Sequence, residues 1–224
     1  MRSWGTLSSS FLINIMQYIV IEGNIGAGKT TLASMLANCR NARLVLEQFA
    51  DNPFLPKFYN DPQRYSFPLE LSFLAERYKQ LNAEIRESSL FQPLVIADYF
   101  FMKSLIFAQN TLAKDEFNLY RQIFEIIYGS IPKPNLYVYL HLPVPKLLEN
   151  IKKRGRDYEN TITSEYLERI QNGYFEFFKQ HPSYSFLIID TTNIDFVHNS
   201  HDFQKIKAVI FDQNVFQGVK RVAF

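Results

Sequence analysis

Short apolar runs alternate along the chain with longer stretches in which apolar residues recur every three or four positions. The candidate strands are Tyr18–Glu22, Leu44–Leu46, Leu94–Ala97, Leu136–His141 and Phe186–Ile189. Each reads as a nearly continuous apolar run, as expected where both faces of a sheet are covered. Strands separated by helix-length segments indicate an α/β fold, a parallel sheet with crossover helices. The clearest helix is predicted from Pro62 to about Ser88. Phe67, Leu71, Leu74, Tyr78, Leu81 and Ile85 follow at steps of four and three and form one stripe. Glu70 and Arg77 share an edge of that stripe, about 10 Å apart on a helix, where side chains can look into a cleft.

No repeat or Pro/Gly/Ser-rich linker divides the chain, so a single domain over 16–224 is expected. The first fifteen residues lack the long apolar core of a signal peptide. They read as a disordered extension, with Met16 as an alternative start. The 21 Phe and 13 Tyr of the 224 residues suit thick helix-on-sheet layers or an aromatic-lined cleft. Core packing accounts for most of them. A net charge of +2 gives no global argument for nucleic acid or membrane binding. No apolar run approaches the roughly 20 residues of a membrane span. The single cysteine, Cys39, excludes an internal disulfide and a cysteine-based metal site, which fits a reducing cytosol.

The chemistry concentrates in "GNIGAGKT", Gly23 to Thr30, which matches G-x-x-x-x-G-K-[ST] without a gap. Glycines permit the backbone to approach a phosphate, and successive N–H groups together with the following helix N-terminus surround its oxygens. Gly23, Asn24, Ile25, Gly26, Ala27, Gly28, Lys29, Thr30 and Thr31 are therefore the candidate ATP-binding residues. Lys29 neutralises the β- and γ-phosphates, and the Thr30 hydroxyl ligates Mg²⁺. A strand before the loop and a helix after it set this apart from a chance glycine turn.

"IEGNIGAGKTT", "LEQFADNPFLPKFYNDPQRYSF", "IFAQN", "KKRGRDYE" and "SEYLERI" occur in the order of motifs in the deoxyribonucleoside kinase family. The chain resembles that family over nearly everything from Tyr18 to about Phe196, most of all its bacterial deoxyadenosine/deoxyguanosine kinase branch. The resemblance implies a thymidylate-kinase-like fold, a five-stranded parallel sheet with helices on both faces and an arginine-rich lid. It implies transfer of the γ-phosphate of ATP to the 5′-hydroxyl of a deoxynucleoside, with a purine preference that rests on the branch alone. A homodimer formed through helices is a further family expectation, and the cysteine content points to a cytoplasmic location.

By the same resemblance, Glu47 is the carboxylate that accepts the 5′-hydroxyl proton. The carboxyl end of a strand is where ligands of open α/β sheets gather. The alternative, a solvated loop carboxylate, is the less favoured reading. Gln48 follows it where the family usually has proline. Arg154 and Arg156 would clamp the transferring phosphoryl group as bidentate donors. Lys152 to Gly155 also fit plain helix termination, with cations in the last turn and a glycine cap. Glu159 and Tyr59 would bind the sugar 3′-hydroxyl, although Tyr59 also suits a packed aromatic. Phe107, within "IFAQN", belongs to the same substrate set, and Asp195 and Phe196 are expected near the adenine of ATP.

Two departures stand out. Where the family carries an acid followed by arginine after its third strand, this chain reads Ala97, Asp98, Tyr99. The arginine is missing and the carboxylate is displaced by one residue, which in a strand reverses its face. Asp98 is either a Mg²⁺ ligand or the N-cap of a helix from Phe100 to Leu112. Lys103 or a lid arginine would have to replace the absent guanidinium. In the base pocket, Glu70 stands where relatives present glutamine, and Lys103 replaces the acidic partner of Arg77. Glu70 is expected to pair with Lys103 or Arg77, the alternative being a surface salt bridge of little consequence. Loss of turnover in a nucleotide-binding regulatory protein, or a monophosphate acceptor held by Arg64 and Arg77, are the competing functions.

Overall fold

The computed structural model describes residues 17–48, 52–86, 94–212 and 216–224. The proposed extension 1–15, Met16 and the expected helix end at Ser88 lie outside these. Six strands form one parallel sheet in the order β2-β3-β1-β4-β5-β6. They are β1 (Gln17–Gly23), β2 (Arg43–Val45), β3 (Leu94–Ala97), β4 (Leu136–His141), β5 (Ser185–Asp190) and β6 (Gly218–Val222). The expected five-stranded sheet therefore gains a sixth strand. β6 pairs with β5 from Gly218 opposite Ser185 to Val222 opposite Ile189. It is an edge strand whose three central residues are exposed, so its sequence carries no apolar run to announce it.

The helices are α1 (Lys29–Arg40), α2 (Leu55–Asn60), α3 (Pro62–Arg86), α4 (Lys103–Thr111), α5 (Lys114–Tyr128), α6 (Val144–Arg154), α7 (Ser164–Gln180) and α8 (Ser200–Phe211). Alternate strand residues face opposite layers. Tyr18, Val20, Tyr137, Tyr139, Phe186 and Ile188 pack with α3, α4, α5 and most of α7. Ile19, Ile21, Val138, Leu140, Leu187 and Ile189 pack with α1, α6 and α8. The aromatic residues collect on the first face, where Tyr174, Phe177 and Phe178 of α7 meet Tyr139 and Phe186. The hydroxyls of Tyr18, Tyr137 and Tyr139 are buried there with no partner among the described residues.

α3 is rotated relative to its apolar stripe. Leu71 and Tyr78 are exposed, whereas Ser66, Glu70, Leu74, Arg77 and Leu81 are buried at steps of four, four, three and four. Glu70 and Arg77 thus lie in the centre of the buried face and not along its edge. Two buried ionisable residues on one helix face require partners or a cleft, and α3 has both.

Candidate active site

β1 ends at Gly23, and the following turn delivers Gly28 in the left-handed region (φ 86°) immediately before α1. A side chain at Gly26, also at positive φ (85°), would bring its Cβ within 2.7 Å of the Leu147 carbonyl oxygen. At Gly28 the Cβ would meet the Phe196 ring at 3.0 Å. Glycine is required at both by conformation and by space. The loop is braced from outside by Asn150, whose Nδ2 donates to the Gly26 carbonyl at 2.9 Å. Asn24 donates to the Leu167 carbonyl at 2.7 Å. The Lys29 ammonium donates to the Asn24 carbonyl at 2.9 Å. Burial, then the nearby Lys103 charge, pull the Lys29 pKa from 10.5 down to about 8, against the carboxylates of Glu22, Glu47 and Asp98.

β3 stops at Ala97, and the chain turns enough for Asp98 to reach the loop. Its Oδ2 accepts the Thr30 hydroxyl at 2.5 Å and its Oδ1 accepts the Glu47 backbone N–H at 2.7 Å. The N-cap alternative fails: α4 begins only at Lys103, and Asp98 caps nothing. Two hard oxygens, one hydroxyl and one carboxylate, thus lie side by side next to the phosphate loop. This donor set fits Mg²⁺, which takes one or two protein oxygens and completes its shell with phosphates and water. No group of three or more His, Cys, Asp or Glu forms a dedicated metal cage among the described residues.

Glu47 follows β2 and faces the cavity bordered by the loop, its side chain 9% exposed. Arg77 donates to Oε1 through Nε at 2.9 Å and Nη2 at 2.5 Å, and Lys103 donates to Oε2 at 2.5 Å. Burial alone would raise the Glu47 pKa, but the charges of Lys103 and Arg77 and their hydrogen bonds overcome it. The carboxyl is held at about 2. The expected pairing of Glu70 with Lys103 or Arg77 is therefore corrected: both cations hold Glu47. Glu70 instead accepts from the Thr111 hydroxyl at 2.9 Å.

Tyr99, at the place of the family's arginine, is fully buried in the aromatic layer and donates to Gln80 at 2.9 Å. It takes no part in the cleft. Lys103, the first residue of α4, places its ammonium on Glu47. Two participants were not anticipated. Ser104 accepts from Arg77 Nη1 at 2.7 Å. Glu22, buried at the end of β1, accepts from the Phe100 N–H at 2.7 Å and the Tyr174 hydroxyl at 2.8 Å, and so anchors the segment carrying Asp98 and Lys103. An acid inside "YIVIEG" was the available signal for it.

α6 ends in Lys152, Lys153 and Arg154 with Gly155 as a left-handed cap (φ 68°), so the helix-termination reading holds. The lid function is compatible with it. Arg154 pairs with Glu159 at 2.6 Å and Arg156 at 3.3 Å, and both arginines border two adjoining cavities. The larger, about 1230 Å³, runs from the phosphate loop to Asp195, Phe196 and His198. The smaller, about 140 Å³, is lined by Tyr59, Glu70, Arg77, Lys103, Phe107 and Glu159 among others. Glu47, Lys29, Thr30 and Asp98 border both. Tyr59 is also packed, its ring stacked on Tyr158 at 5.8 Å. Asn24 and Gly23 do not line either cavity; they shape the loop from behind. Arg64 is exposed on α3 and lines neither.

A family model described as deoxynucleoside kinase matches residues 19–215. The chain belongs to the deoxynucleoside kinase family. The deoxyguanosine kinase of Bacillus subtilis (strain 168) is 40% identical over 200 residues, 88% of this chain and 97% of that protein. The deoxyadenosine kinase of Dictyostelium discoideum is 34% identical over 194 residues, 85% of this chain and 78% of that protein. Among solved structures, the deoxyadenosine kinase of M. mycoides with bound dATP has the same fold. Its TM-score is 0.74 at 24% identity, over 87% of this chain and 98% of that one. As a deoxynucleoside kinase the chain is an ATP-dependent phosphotransferase.

Proposed function

We propose that this kinase, acting as one domain, moves the γ-phosphate of ATP to the 5′-hydroxyl of a purine deoxynucleoside, with Glu47 as proton acceptor. The observation that carries this is the position of Glu47: an ionised carboxylate bordering both the phosphate-loop cavity and the smaller cavity. The larger cavity takes ATP and the smaller takes the nucleoside. The 5′-oxygen forms a bond to the γ-phosphorus, the bond to the β–γ bridging oxygen breaks, and ADP leaves with that electron pair. The hydroxyl proton passes to Glu47.

Lys29 and the loop amides hold the β- and γ-phosphates, and Arg154 and Arg156 meet charge on the transferring group. Arg154 does so from a position fixed by Glu159, whose two oxygens are held by Arg154 and Arg156 and which would bind the sugar 3′-hydroxyl beside Tyr59 once an arginine turns to the phosphates. Thr30 and Asp98 would hold Mg²⁺, whose chemistry is charge neutralisation at the phosphates. Lys103, paired with Glu47, takes the place of the arginine that the family uses to support the attacking hydroxyl and the phosphates, and this speaks against the loss-of-turnover reading. The purine preference is supported by the names of the relatives. A homodimer formed through helices and a cytoplasmic location are proposed with it; among the described residues no helix is long and apolar enough to cross a membrane.

Transfer from γ-labelled ATP to a panel of deoxynucleosides tests the assignment. Purine deoxynucleoside 5′-monophosphates are the expected products, reduced at least a hundredfold in Glu47→Ala. ATP binding with no labelled nucleotide formed would overturn it.

A further inference from the structure

Glu70 is the unexplained group in the smaller cavity. It is 3% exposed, at the centre of the buried face of α3. Its Oε1 accepts from Thr111, and Oε2 receives no hydrogen bond from any described residue. The two cations that would ordinarily neutralise it are engaged with Glu47. Phe58, Leu69, Phe73, Phe107 and Tyr166 line the same cavity, together with the charged residues of the phosphate-loop end and the lid. A buried carboxylate with no ion pair of its own and one oxygen without a hydrogen bond has acceptor capacity that a ligand with N–H donors can fill.

We propose that Glu70 makes this pocket select guanine over adenine deoxynucleosides, its carboxylate accepting the N1–H and 2-amino group of the guanine edge. The proposal rests on the kinase reading above and names the base that site takes. Guanine presents two adjacent donors, matched to the two oxygens of a carboxylate. Adenine presents a lone pair at N1 beside its 6-amino donor, so one carboxylate oxygen would face another lone pair. Cytosine repeats the adenine pattern at N3 and N4. A buried polar mismatch of this kind discriminates far more strongly than a lost methylene does.

The charge state of Glu70 sharpens the prediction. Burial pushes its pKa up to about 7, opposed by Arg77 of its own helix and by Thr111 and Lys103 of α4, and reinforced by Glu47 after β2. Tyr59 of α2, Tyr120 of α5 and Tyr166 of α7 also face it, all held above their ordinary value of 10 and neutral in the range tested. A raised carboxyl is neutral below its pKa and ionised above it. The protonated form, one donor and one acceptor, suits adenine; the ionised form suits guanine.

The experiment compares kcat/KM for deoxyguanosine, deoxyinosine and deoxyadenosine from pH 6 to 8.5, in the unaltered kinase and in Glu70→Gln. The unaltered enzyme should prefer deoxyguanosine, and deoxyinosine, which lacks only the 2-amino group, should fall about tenfold below it. The guanine-to-adenine ratio should rise with pH. Glu70→Gln should lower that ratio roughly tenfold to a hundredfold and remove its pH dependence. If the variant does not fold, the substrate ranking and pH profile of the unaltered enzyme decide the matter on their own. Equal or greater activity on deoxyadenosine, or a ratio unmoved by the substitution, overturns this proposal alone. Failure to phosphorylate any nucleoside overturns the kinase assignment and this proposal with it.

Discussion

Replacing Lys103 with methionine isolates the group proposed to stand in for the missing arginine. The ammonium lies 2.5 Å from Glu47 Oε2, with both side chains 9% exposed. Glu47 is held at about 2 against an ordinary 4.5, which corresponds to about 3 kcal/mol of preference for the ionised form. Lys103 is the larger of the two cationic contributions to it, so its loss returns the carboxyl most of the way to its ordinary value. A buried pair broken on one side costs about 3–5 kcal/mol of stability.

The sign follows from the depressed value. The Glu47 ion pairs stabilise the fold fully above about pH 4.5 and lose that effect as pH falls through about 2. In Lys103→Met the window closes upwards, and acid unfolding moves to higher pH. Catalysis should fall about 10²–10³-fold in kcat, the usual effect of removing one donor at a reacting centre. KM for ATP should change little, because Lys103 borders the smaller cavity and not the larger one. The assay is steady-state transfer from pH 4 to 9, below the melting temperature of the variant, with Lys103→Arg as the rescue. In kcat at saturating nucleoside, where base binding no longer limits the rate, the unaltered kinase should show no acid limb down to about pH 4; the variant should show one between roughly 4 and 5. An unchanged kcat together with an unchanged acid side would refute the assigned role of Lys103.

Asp98→Asn should raise the Mg²⁺ concentration for half-maximal rate by about 10–100-fold at fixed ATP; an unaltered magnesium titration would remove Asp98 from the metal site. Lys29 is charged below about pH 8 in the free protein, so ATP affinity by calorimetry should decline as pH rises through 8, and a flat profile to pH 9.5 would contradict this. Lys103→Met, which removes a like charge near Lys29, should shift that decline upwards. Tyr174→Phe deprives Glu22 of a hydroxyl donor at 2.8 Å in a buried site and should cost about 1–3 kcal/mol in denaturant unfolding; no change in midpoint would mean that the pair contributes nothing.

What was legible in the sequence followed from local rules. The strand–glycine turn–helix of Gln17 to Arg40 is fixed by steric demands on Gly26 and Gly28 that composition exposes directly. Strands announce themselves as apolar runs, so β1 to β5 were found, β2 one residue out of register at each end, while the solvent-facing edge strand β6 was not. The rotation of α3 was hidden because its buried face carries Glu70 and Arg77, and a pattern read from apolar residues alone turns such a helix away from its cleft. The partner of Arg77 was illegible for a related reason. Thirty residues separate it from Glu47, and only the packing of α3 across the ends of β2 and β3 decides which carboxylate it meets. The displaced Asp98 depended on where β3 stops, a boundary that a four-residue strand leaves open.

The two carboxyls of the cleft show how one set of cations can assign two roles. A carboxylate held at about 2 is a weak base, and a weak base accepts a proton only after the hydroxyl has become strongly acidic, late in bond formation to phosphorus. Phosphoryl transfer through a loose transition state tolerates such lateness, because charge neutralisation and alignment carry most of the rate. What it does not tolerate is a protonated acceptor, and burial without an ion pair produces one: Glu70, equally enclosed but only distantly opposed by Arg77 and Lys103, is pushed to about 7. Arg77 and Lys103 keep Glu47 ionised, and by being engaged there they leave Glu70 without an ion pair in the same cavity. Pushing two neighbouring carboxyls apart in this way separates chemistry from recognition. Moving either cation to Glu70 would exchange the two properties and disable both.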